Sequence, residues 1–492
     1  MSGRTEELKS DIVKGIFWKA LENGGDQLIT FLISLVLARL LGPEKYGTMA
    51  LMLIFVSIAN VMIQSGFQTA LIQKRKVDIG DYSSVLYLGL IMALVIYLLI
   101  FFAAPFLGDY FADSELTPML RVLSLMLFSG AVISVEIAYI ARNMDFKKQC
   151  VATVEADILS GVAGIAAAFY GLGTWALVIQ QLMKNLLLML ILIVSVGIRP
   201  APVFSLKKLS KLFSYGWKVL VSGLIDTVYN NIYTPVISKL YSPVTTGLYS
   251  RGNQFPQIIA NAMAQTMQSV MLPAFSKNQD SKEELKEMLR RTVKMGSFVM
   301  FPMMAGLMAV AEPLIEVLLG EAWSDCTPYL VLCALGYSVW PMHVANLQAV
   351  NAQGRSDIYL KLEIIKKLMG LAVLFLSLPY GILTMILLKS CFDFVCTFIN
   401  AAPNSRLIGY GPLKQWRDVL PEFGISVFMG ITVWLSCKFL AAGFFMSGLG
   451  GFISLVLLVA EGIILFIVAA ALFKLESLKY IMETIKGYKK AE

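Results

Sequence analysis

Charged residues are scarce in this sequence. Asp, Glu, Lys and Arg together make up 15% of the 492 residues, whereas an average soluble domain carries about 25%. Hydrophobic residues make up 57% of the chain. So few charges cannot cover the surface of a soluble protein of this size. The composition therefore excludes a soluble globular protein and indicates a membrane protein.

Histidine and the usual motifs of enzymes are also scarce or missing. The one histidine, His343, excludes a metal centre built from several imidazoles. The six cysteines show neither zinc-type spacing nor a disulfide framework, and nearly all lie in apolar runs, as small buried residues do. The sequence has no P-loop, no strand-associated dinucleotide loop and no His-Glu-x-x-His motif. We therefore expect no metal, no cofactor and no enzyme activity, and transport is the expected function.

Long apolar runs recur along the whole chain. Runs of about 20 residues are long enough to cross about 30 Å of hydrocarbon as α-helices, whereas a barrel would show alternating segments of about 10 residues. The sequence predicts an all-α polytopic membrane protein with about fourteen transmembrane helices. The predicted spans lie near residues 15–40, 43–66, 83–107, 118–140, 149–170, 173–197, 212–240, 243–273, 286–311, 326–350, 356–379, 381–402, 416–440 and 450–473.

Basic residues predict the orientation of these spans. Most of the 41 Lys and Arg residues lie in every second connecting segment, and the positive-inside rule assigns those segments and both termini to the cytoplasm. The net charge of +8 reflects this topology and does not indicate nucleic-acid binding. The N-terminal stretch MSGRTEELKSDIVK has no cleavage site after a short apolar core, so we expect no removable signal peptide.

An internal repeat appears when the chain is shifted by 200 residues. Pro and Gly then match at the same predicted turn, and six spans separate the two copies, as in transporters built from parallel repeats. We therefore expect one six-helix lobe at 1–202, a second at 203–402, and two further helices with a cytoplasmic tail at 403–492. The matching positions are Asp26 and Asp226, Val36 and Val236, Leu40 and Leu240, Pro43 and Pro243, Gly47 and Gly247, Phe55 and Phe255, Ile58 and Ile258, and Gln68 and Gln268.

Three ionisable residues lie in the first predicted span, FWKALENGGDQLITFLISLVLARLLG. Charge inside hydrocarbon costs about 3 kcal/mol per residue on insertion scales. Lys19, Glu22 and Asp26 are spaced by three and four, so they share one face of a helix. That face is expected to point away from lipid, at the seam between the lobes. The alternative is that Lys19 snorkels to the interface and that all three form a fixed salt-bridged face without a role in transport.

The second lobe carries its own polar residues within spans. Arg251 stands where the repeat has Leu51, and its planar guanidinium suits bidentate binding of phosphate. Lys218, early in the seventh span, resembles Lys19. A structural ion pair, snorkelling and ordinary interhelical hydrogen bonds are the alternative interpretations. The amide side chains suited to sugar hydroxyls are Asn230, Asn231 and Asn253.

Further charges lie within predicted spans. Lys184 in the sixth span is an additional intramembrane candidate. The i, i+4 spacing of Lys389 and Asp393 favours an internal salt bridge. The candidate counter-charges or coupling sites are Glu22, Asp26, Asp226, Glu155 and Asp157.

The stretches LARLLGPEKYGTMAL (37–51) and QSGFQTALIQK (64–74) carry a family resemblance. They resemble the opening of Wzx-type polysaccharide flippases of the WzxC/TuaB-like group, within the multidrug/oligosaccharidyl-lipid/polysaccharide exporter superfamily. The predicted six, six and two helices agree with that group over essentially the whole chain. The resemblance implies a MATE-like fold of two lobes around a cavity lined by spans 1, 2, 7 and 8.

The resemblance also implies a function. The expected activity is outward movement of an undecaprenyl-pyrophosphate-linked oligosaccharide across the bacterial inner membrane by alternating access. Lys19 would then help to draw the pyrophosphate head group from the cytoplasmic side, and Glu22 would hold Lys19 when the cavity is empty. Asp26 would bind a proton or cation, with Asp226 as its counterpart in the second lobe. The implied protein partners are a polysaccharide polymerase and export machinery. The alternatives are a multidrug-type antiporter, a lipid II flippase and, from another class, a membrane polysaccharide polymerase or ligase.

Overall fold

The fold is built from α-helices. The computed structural model describes residues 2–198, 200–278, 281–441, 448–480 and 483, and within these ranges no residue belongs to a β-strand. The helices are, in chain order, α1 (Ser2–Gln73), α2 (Ile79–Phe111), α3 (Leu116–Leu123), α4 (Met126–Asn143), α5 (Phe146–Phe169), α6 (Thr174–Val196), α7 (Leu206–Asn231), α8 (Tyr233–Leu240), α9 (Pro243–Lys277), α10 (Lys282–Ala309), α11 (Ala311–Leu318), a 3-10 helix (Glu321–Cys326), α12 (Thr327–Tyr337), α13 (Trp340–Ala352), α14 (Ser356–Ser377), a 3-10 helix (Leu378–Tyr380), α15 (Ile382–Leu407), α16 (Pro412–Ala441) and α17 (Gly448–Leu472).

Many of these helices can cross a membrane. Ten stretches of the described chain are helical and are long and apolar enough to do so, which confirms the predicted all-α polytopic class. Helices α7, α9 and α14 have 26, 35 and 22 residues but carry too many polar or charged side chains to be counted among the ten. The count of fourteen spans stays a prediction. The ten stretches are Phe17–Gln73, Ile79–Phe111, Leu116–Asn143, Phe146–Phe169, Thr174–Val196, Lys282–Ala309, Glu321–Ala352, Ile382–Leu407, Pro412–Phe439 and Gly450–Leu472.

A kink at Gly42 divides α1 into two helical segments. Gly42 has φ 73° and ψ 175°, a conformation that residues with a Cβ atom rarely adopt, and Pro43 follows it. Proline has no N–H to donate, so the helical hydrogen-bond ladder is interrupted at the same point. The kink lies at the predicted turn between the first and second spans, so α1 holds two consecutive spans.

The helices group into two compact units, residues 1–247 and residues 248–492. In the first unit, α1 packs against α4, α5 and α7 around an apolar core that includes Leu51. In the second unit, α10 packs against α13 and α16, and α12 packs against α15, with Phe275 in the core. The lobe boundaries predicted from the repeat describe a different subdivision and stay a prediction.

Two glycines of the repeat lie where α1 crosses the first turn of α9, within the first unit. A Cβ atom on Gly47 would overlap the carbonyl oxygen of Pro243, and a Cβ atom on Gly247 would overlap the carbonyl oxygen of Pro43. The contact is therefore reciprocal. Small residues at helix crossings in membranes let backbones approach closely, and packing of this kind drives association there. The residues that match in the sequence repeat thus touch one another in space.

A second reciprocal contact joins α1 to α7. A Cβ atom on Gly66 would lie 2.6 Å from the carbonyl oxygen of Gly216, and a Cβ atom on Gly216 would lie 2.8 Å from the carbonyl oxygen of Gly66. Gly47 and Gly66 are separated by about 28 Å along α1 at a rise of about 1.5 Å per residue. The second segment of α1 is therefore contacted by α9 near one end and by α7 near the other.

Candidate functional site

A lysine lies between two carboxylates inside the first unit. Lys184 Nζ in α6 is 2.8 Å from Asp26 Oδ1 in α1 and 2.6 Å from Asp157 Oδ1 in α5. It also lies 3.3 Å from Thr30 Oγ1, one turn after Asp26. The Asp157 side chain is 1% exposed, whereas that of Asp26 is 36% exposed. Asp26, Asp157 and Lys184 are called the ion cluster below.

A second polar group lies one turn earlier on α1. Lys19 Nζ is 2.8 Å from Glu22 Oε2, and Gln149 Nε2 in α5 donates a hydrogen bond of 2.8 Å to Glu22 Oε1. The Glu22 side chain is 8% exposed and that of Lys19 is 40% exposed. A buried carboxylate therefore holds a lysine whose ammonium group can reach water.

The face of α1 that carries these residues packs inside the helix bundle. Glu22 contacts α5 through Gln149, and Asp26 contacts α6 through Lys184. The face therefore contacts neighbouring helices, and the expectation that it turns away from lipid stays a prediction. The expectation that it lies at the seam between the two lobes stays a prediction.

The predicted residues of α7 have different surroundings from those of α1. Lys218, Asp226 and Asn230 are exposed side chains. Asn231 is half-buried and donates a hydrogen bond of 2.8 Å to the carbonyl oxygen of Thr227. Asp226 therefore matches Asp26 in sequence but does not share its burial.

Arg251 is buried in the second unit. The residue is 2% exposed, its guanidinium carbon lies 5.8 Å from the ring centre of Trp323, and its Nη1 donates to Gln254 Oε1. A guanidinium over an indole ring gains cation–π stabilisation. Arg251 thus contributes to packing in this structure, and its role as a substrate anchor stays a prediction.

The remaining candidates differ in how far they are buried. Glu155 is exposed and Asn253 is half-buried. Lys389 Nζ lies 3.5 Å from Asp393 Oδ2, which confirms the predicted internal salt bridge within α15.

The sequence did not predict that Lys184 is the partner of both Asp26 and Asp157. Lys184 is recognisable as an intramembrane lysine, but nothing in the sequence pairs it with Asp26, which lies 158 residues earlier. One signal was available. An ammonium group in hydrocarbon is costly unless a carboxylate lies nearby, so an intramembrane lysine predicts an acidic partner. Gln149 was also missed, because an amide in an apolar run carries no such signal.

An ion pair outside the membrane-spanning segments ties α7 to the start of α2. Lys208 Nζ donates hydrogen bonds of 2.7 Å to both carboxylate oxygens of Asp78. These bonds, helped by one from the backbone N–H of Asp81, hold the pKa of Asp78 below its usual range. Ser84 Oγ accepts a hydrogen bond of 3.1 Å from the backbone N–H of Ser205. The segment that leads into α7 is therefore fixed to the first turns of α2.

Several proteins are similar in sequence. The succinoglycan biosynthesis transport protein ExoT of Rhizobium meliloti (strain 1021) is 26% identical over 328 residues, 67% of this chain and 66% of ExoT. The lipopolysaccharide biosynthesis protein WzxC of Escherichia coli (strain K12) is 20% identical over 368 residues, 73% of each chain. The teichuronic acid biosynthesis protein TuaB of Bacillus subtilis (strain 168) is 24% identical over 311 residues, 61% of this chain and 62% of TuaB. The chain thus spans about two thirds of the length of the relatives it matches.

Solved structures share the fold. The lipid II flippase MurJ in an inward closed conformation superposes with a TM-score of 0.75 at 14% identity, over 93% of this chain and 98% of MurJ. An inward-facing multidrug resistance MATE family transporter of the MOP superfamily superposes with a TM-score of 0.60 at 15% identity, over 79% of this chain and 98% of that protein. The expected MATE-like fold is confirmed.

The expected resemblance to Wzx-type flippases is confirmed by sequence as well. A family profile with the description "Polysaccharide biosynthesis protein" matches residues 36–328, more than half of the chain. The matched region includes the second segment of α1, the ion-cluster residues Asp157 and Lys184, and both reciprocal glycine contacts. The chain therefore belongs to this family of polysaccharide biosynthesis proteins.

Proposed function

We propose that the protein is a flippase that moves an undecaprenyl-pyrophosphate-linked oligosaccharide outward across the bacterial cytoplasmic membrane, for export of a surface polysaccharide. The observation that carries the proposal is family membership in a chain with a flippase fold. The relatives are named for succinoglycan, lipopolysaccharide and teichuronic acid, which are three different polymers. These polymers differ in their sugars, but all three can be built from an oligosaccharide attached to the same lipid carrier.

In alternating access, the substrate cavity opens first to one side of the membrane and then to the other. This requires helix contacts near each side that open in turn. The α1–α9 contact at Gly47 and the α1–α7 contact at Gly66 lie about 28 Å apart along the same helix, close to the thickness of the hydrocarbon core of about 30 Å. In the proposal, one contact separates while the other stays closed. Glycine suits a contact that opens and closes, because two helices that meet at glycines have no interdigitated side chains to separate.

The substrate has two polar parts that need different partners. Its pyrophosphate needs cations, and its sugar hydroxyls need amides. Lys218 and Asn230 are exposed on α7 and so can reach a ligand directly. The residues proposed to bind substrate are Lys19, Lys218, Arg251, Asn230, Asn231 and Asn253.

Exchange of partners at Lys19 can assist both loading and release. In this structure the Lys19 ammonium is held by Glu22. A phosphate oxygen that approaches from the cytoplasm would replace Glu22 as the partner of Lys19. Glu22 keeps its hydrogen bond from Gln149 and remains available to recover Lys19 afterwards. The remaining proposed counter-charges or coupling groups are Asp26, Asp226, Glu155 and Asp157.

Orientation, energy source and partners complete the proposal. Both termini lie in the cytoplasm according to the distribution of Lys and Arg. Since the sequence carries no P-loop, transport is driven by an ion gradient or by supply and removal of substrate rather than by ATP hydrolysis. A polysaccharide polymerase and export machinery receive the product outside.

Reconstitution into liposomes tests the function. Purified protein is inserted with a fluorescent undecaprenyl-pyrophosphate oligosaccharide in one leaflet, and access of a membrane-impermeant quencher or glycosidase to the other leaflet is followed. We expect protein-dependent movement of the oligosaccharide lipid. Parallel vesicles carry lipid II or a cationic dye. Movement of lipid II alone would assign the protein as a lipid II flippase, movement of dye alone would assign it as a multidrug antiporter, and polymer formation would assign it as a polymerase.

A further inference from the structure

A cavity of about 910 Å³ lies in the first unit, at a place where three helices begin or end. Its walls come from the first turn of α2, the last turns of α4 and the two residues that follow α6, Gly197 and Ile198. None of its lining residues belongs to the groups proposed above to bind substrate or to supply counter-charges. The cavity is therefore separate from the proposed transport site.

The cavity lies at the level where the apolar stretches of these helices end. The stretch of α2 begins at Ile79, that of α3 and α4 ends at Asn143, and that of α6 ends at Val196. The distribution of Lys and Arg assigns these ends to the cytoplasmic side, where the headgroups of inner-leaflet lipids border the hydrocarbon. Ile79 is 57% exposed and Val194, one turn before Gly197, is 84% exposed. Lipid chains can therefore lie against apolar surface directly beside the cavity.

The start of α2 offers backbone donors to the cavity. Asp78 caps the N–H of Asp81, but within the described residues no group accepts a hydrogen bond from the N–H of Ile79 or Gly80. A Cβ atom on Gly80 would lie 2.7 Å from Lys208 Nζ, so an ammonium group lies beside this helix start. The charge of Asp78 is already paired with that ammonium. The first turn of a helix of 33 residues with free N–H groups favours an anion.

Arg142 adds a fixed positive charge to the wall of the cavity. Its Nη1 donates to the carbonyl oxygens of Leu71, Ile72 and Lys74 at 2.9, 2.9 and 2.6 Å, and its Nη2 donates to that of Arg75 at 3.4 Å. The guanidinium is therefore held at the end of α1 before any ligand arrives. Nε takes no part in these four bonds and remains as a donor for an anion.

The hydroxyl group of Tyr82 also lacks a partner. Tyr82 lines the cavity, is 7% exposed and packs edge to face against Tyr139, with 5.7 Å between ring centres. In the described part of the chain, no group forms a hydrogen bond with its hydroxyl. A buried hydroxyl without a partner costs free energy, and most buried polar groups are paired. A ligand that accepts a hydrogen bond inside the cavity would remove this cost.

We propose that the cavity binds the phosphate group of an inner-leaflet phospholipid. The phosphate oxygens accept hydrogen bonds from Arg142 Nε, from the N–H groups of Ile79 and Gly80, and from the Tyr82 hydroxyl. The acyl chains lie along the exposed apolar residues of α2 and α6. A free phosphate ester shares the headgroup chemistry but would leave Ile79 and Val194 uncovered. The bound lipid joins α2 to α4 and to the segment that leads from α6 towards α7.

Two substitutions test the site with little risk to folding. Tyr82→Phe removes one hydroxyl group and should weaken lipid binding by about tenfold, the value of a hydrogen bond to a charged group. Asn143 is an exposed lining residue, so Asn143→Asp adds a negative charge to the wall and should weaken binding more at low salt than at high salt. Tyr97→Phe is the matched control, because Tyr97 lies on the same helix but does not line the cavity. It should bind lipid as the wild type does.

The experiment uses the full-length protein purified in detergent. Native mass spectrometry counts bound lipid, and thermal unfolding measures protection by three probes: phosphatidylglycerol, diacylglycerol with the same chains but no phosphate, and glycerol 3-phosphate without chains. We expect retention of phosphatidylglycerol and protection by it alone. Because the assay involves no transport, its result is independent of the proposed flippase function.

Three outcomes would overturn the inference. Binding of phosphatidylglycerol that is equal in the wild type, Tyr82→Phe and Asn143→Asp would show that the cavity is not the site. Equal binding of diacylglycerol would show that phosphate is not recognised. Protection by glycerol 3-phosphate as strong as that by phosphatidylglycerol would show that the ligand is a soluble phosphate ester and that lipid is not required.

Discussion

Lys208 binds both carboxylate oxygens of Asp78 at 2.7 Å and so joins the first turn of α7 to the residue that caps α2. The contact of Gly66 with Gly216 joins the same helix, α7, to the C-terminal part of α1, the helix that precedes α2. The ion pair lies outside the apolar region and the glycine contact lies within it. Together, these two contacts hold α7 against α1 and the start of α2.

Acid should weaken the Asp78–Lys208 ion pair. The pKa of Asp78 is lowered in the folded protein, chiefly by the hydrogen bond from Lys208. A lowered carboxyl pKa contributes stability that is present above the unfolded-state value of about 3.9 and is lost as pH falls through the folded-state value. Asp78→Asn keeps a good N-cap residue but loses the charge. We expect it to lower the melting temperature slightly at pH 7 and not at about pH 2, measured by intrinsic fluorescence; an equal decrease at both values would contradict this.

Gly47→Ala should block the α1–α9 contact. The added methyl group would overlap the carbonyl oxygen of Pro243, and overpacking of this kind costs about 1–3 kcal/mol. We expect lower thermal stability of the purified protein and transport reduced by at least tenfold. Gly24→Ala on the same helix is the matched control, because nothing lies within 4 Å of its added methyl group. If both variants transport at the wild-type rate, the close crossing is not needed for function.

Lys19→Ala should weaken substrate binding without unfolding the protein. The Lys19 side chain is 40% exposed, and the buried Glu22 keeps its hydrogen bond from Gln149 when Lys19 is removed, so we expect only a small loss of stability. A charge-assisted hydrogen bond to phosphate is worth about 1.5–3 kcal/mol, so KM should rise by about tenfold or more at an unchanged amount of folded protein. Initial rates across a substrate series measure this. An unchanged KM would make Lys19 a packing residue.

Arg251→Ala should reduce transport strongly, whereas Arg251→Lys should keep part of it, because the charge remains but the forked phosphate contact is lost. The burial of Arg251 over Trp323 adds a cost in stability of about 2 kcal/mol for the alanine variant. Transport must therefore be expressed per amount of folded protein. If the variant protein that does fold transports normally, the arginine serves packing alone.

Cysteine labelling tests the predicted orientation. New cysteines at Arg75, Leu206 and Glu284, which are exposed, should react with an impermeant maleimide only after the cytoplasmic side is opened. Leu285 is a poor choice because it is 1% exposed. Position 488 in the tail, which lies outside the described residues, should behave in the same way. Native Cys391, the exposed cysteine, must be replaced first. Labelling of any of the new sites in intact cells would contradict the predicted topology.

Local sequence rules predicted the structure where the cause is local. The kink follows from Gly42 and Pro43 themselves, and the shared face of Glu22 and Asp26 on α1 follows from their spacing. Both depend only on backbone geometry within one helix.

Contacts between distant helices could not be predicted in this way. The pairing of Lys184 with Asp157 depends on the rotation of α6 against α5, which no spacing within either helix determines. The repeat places Asp226 at the position of Asp26 along its helix, but burial depends on the neighbouring helices, and those differ. The repeat therefore predicts position and orientation, and it does not predict electrostatic environment.

The reciprocal contact of Gly47 and Gly247 constrains how the two halves of the gene can diverge. Each glycine is required by the backbone of the opposite copy, at Pro243 and Pro43, rather than by its own helix. A side chain acquired in one copy cannot be accommodated by a later change in that copy alone. At this crossing the two copies of the 200-residue repeat therefore constrain each other's sequence directly.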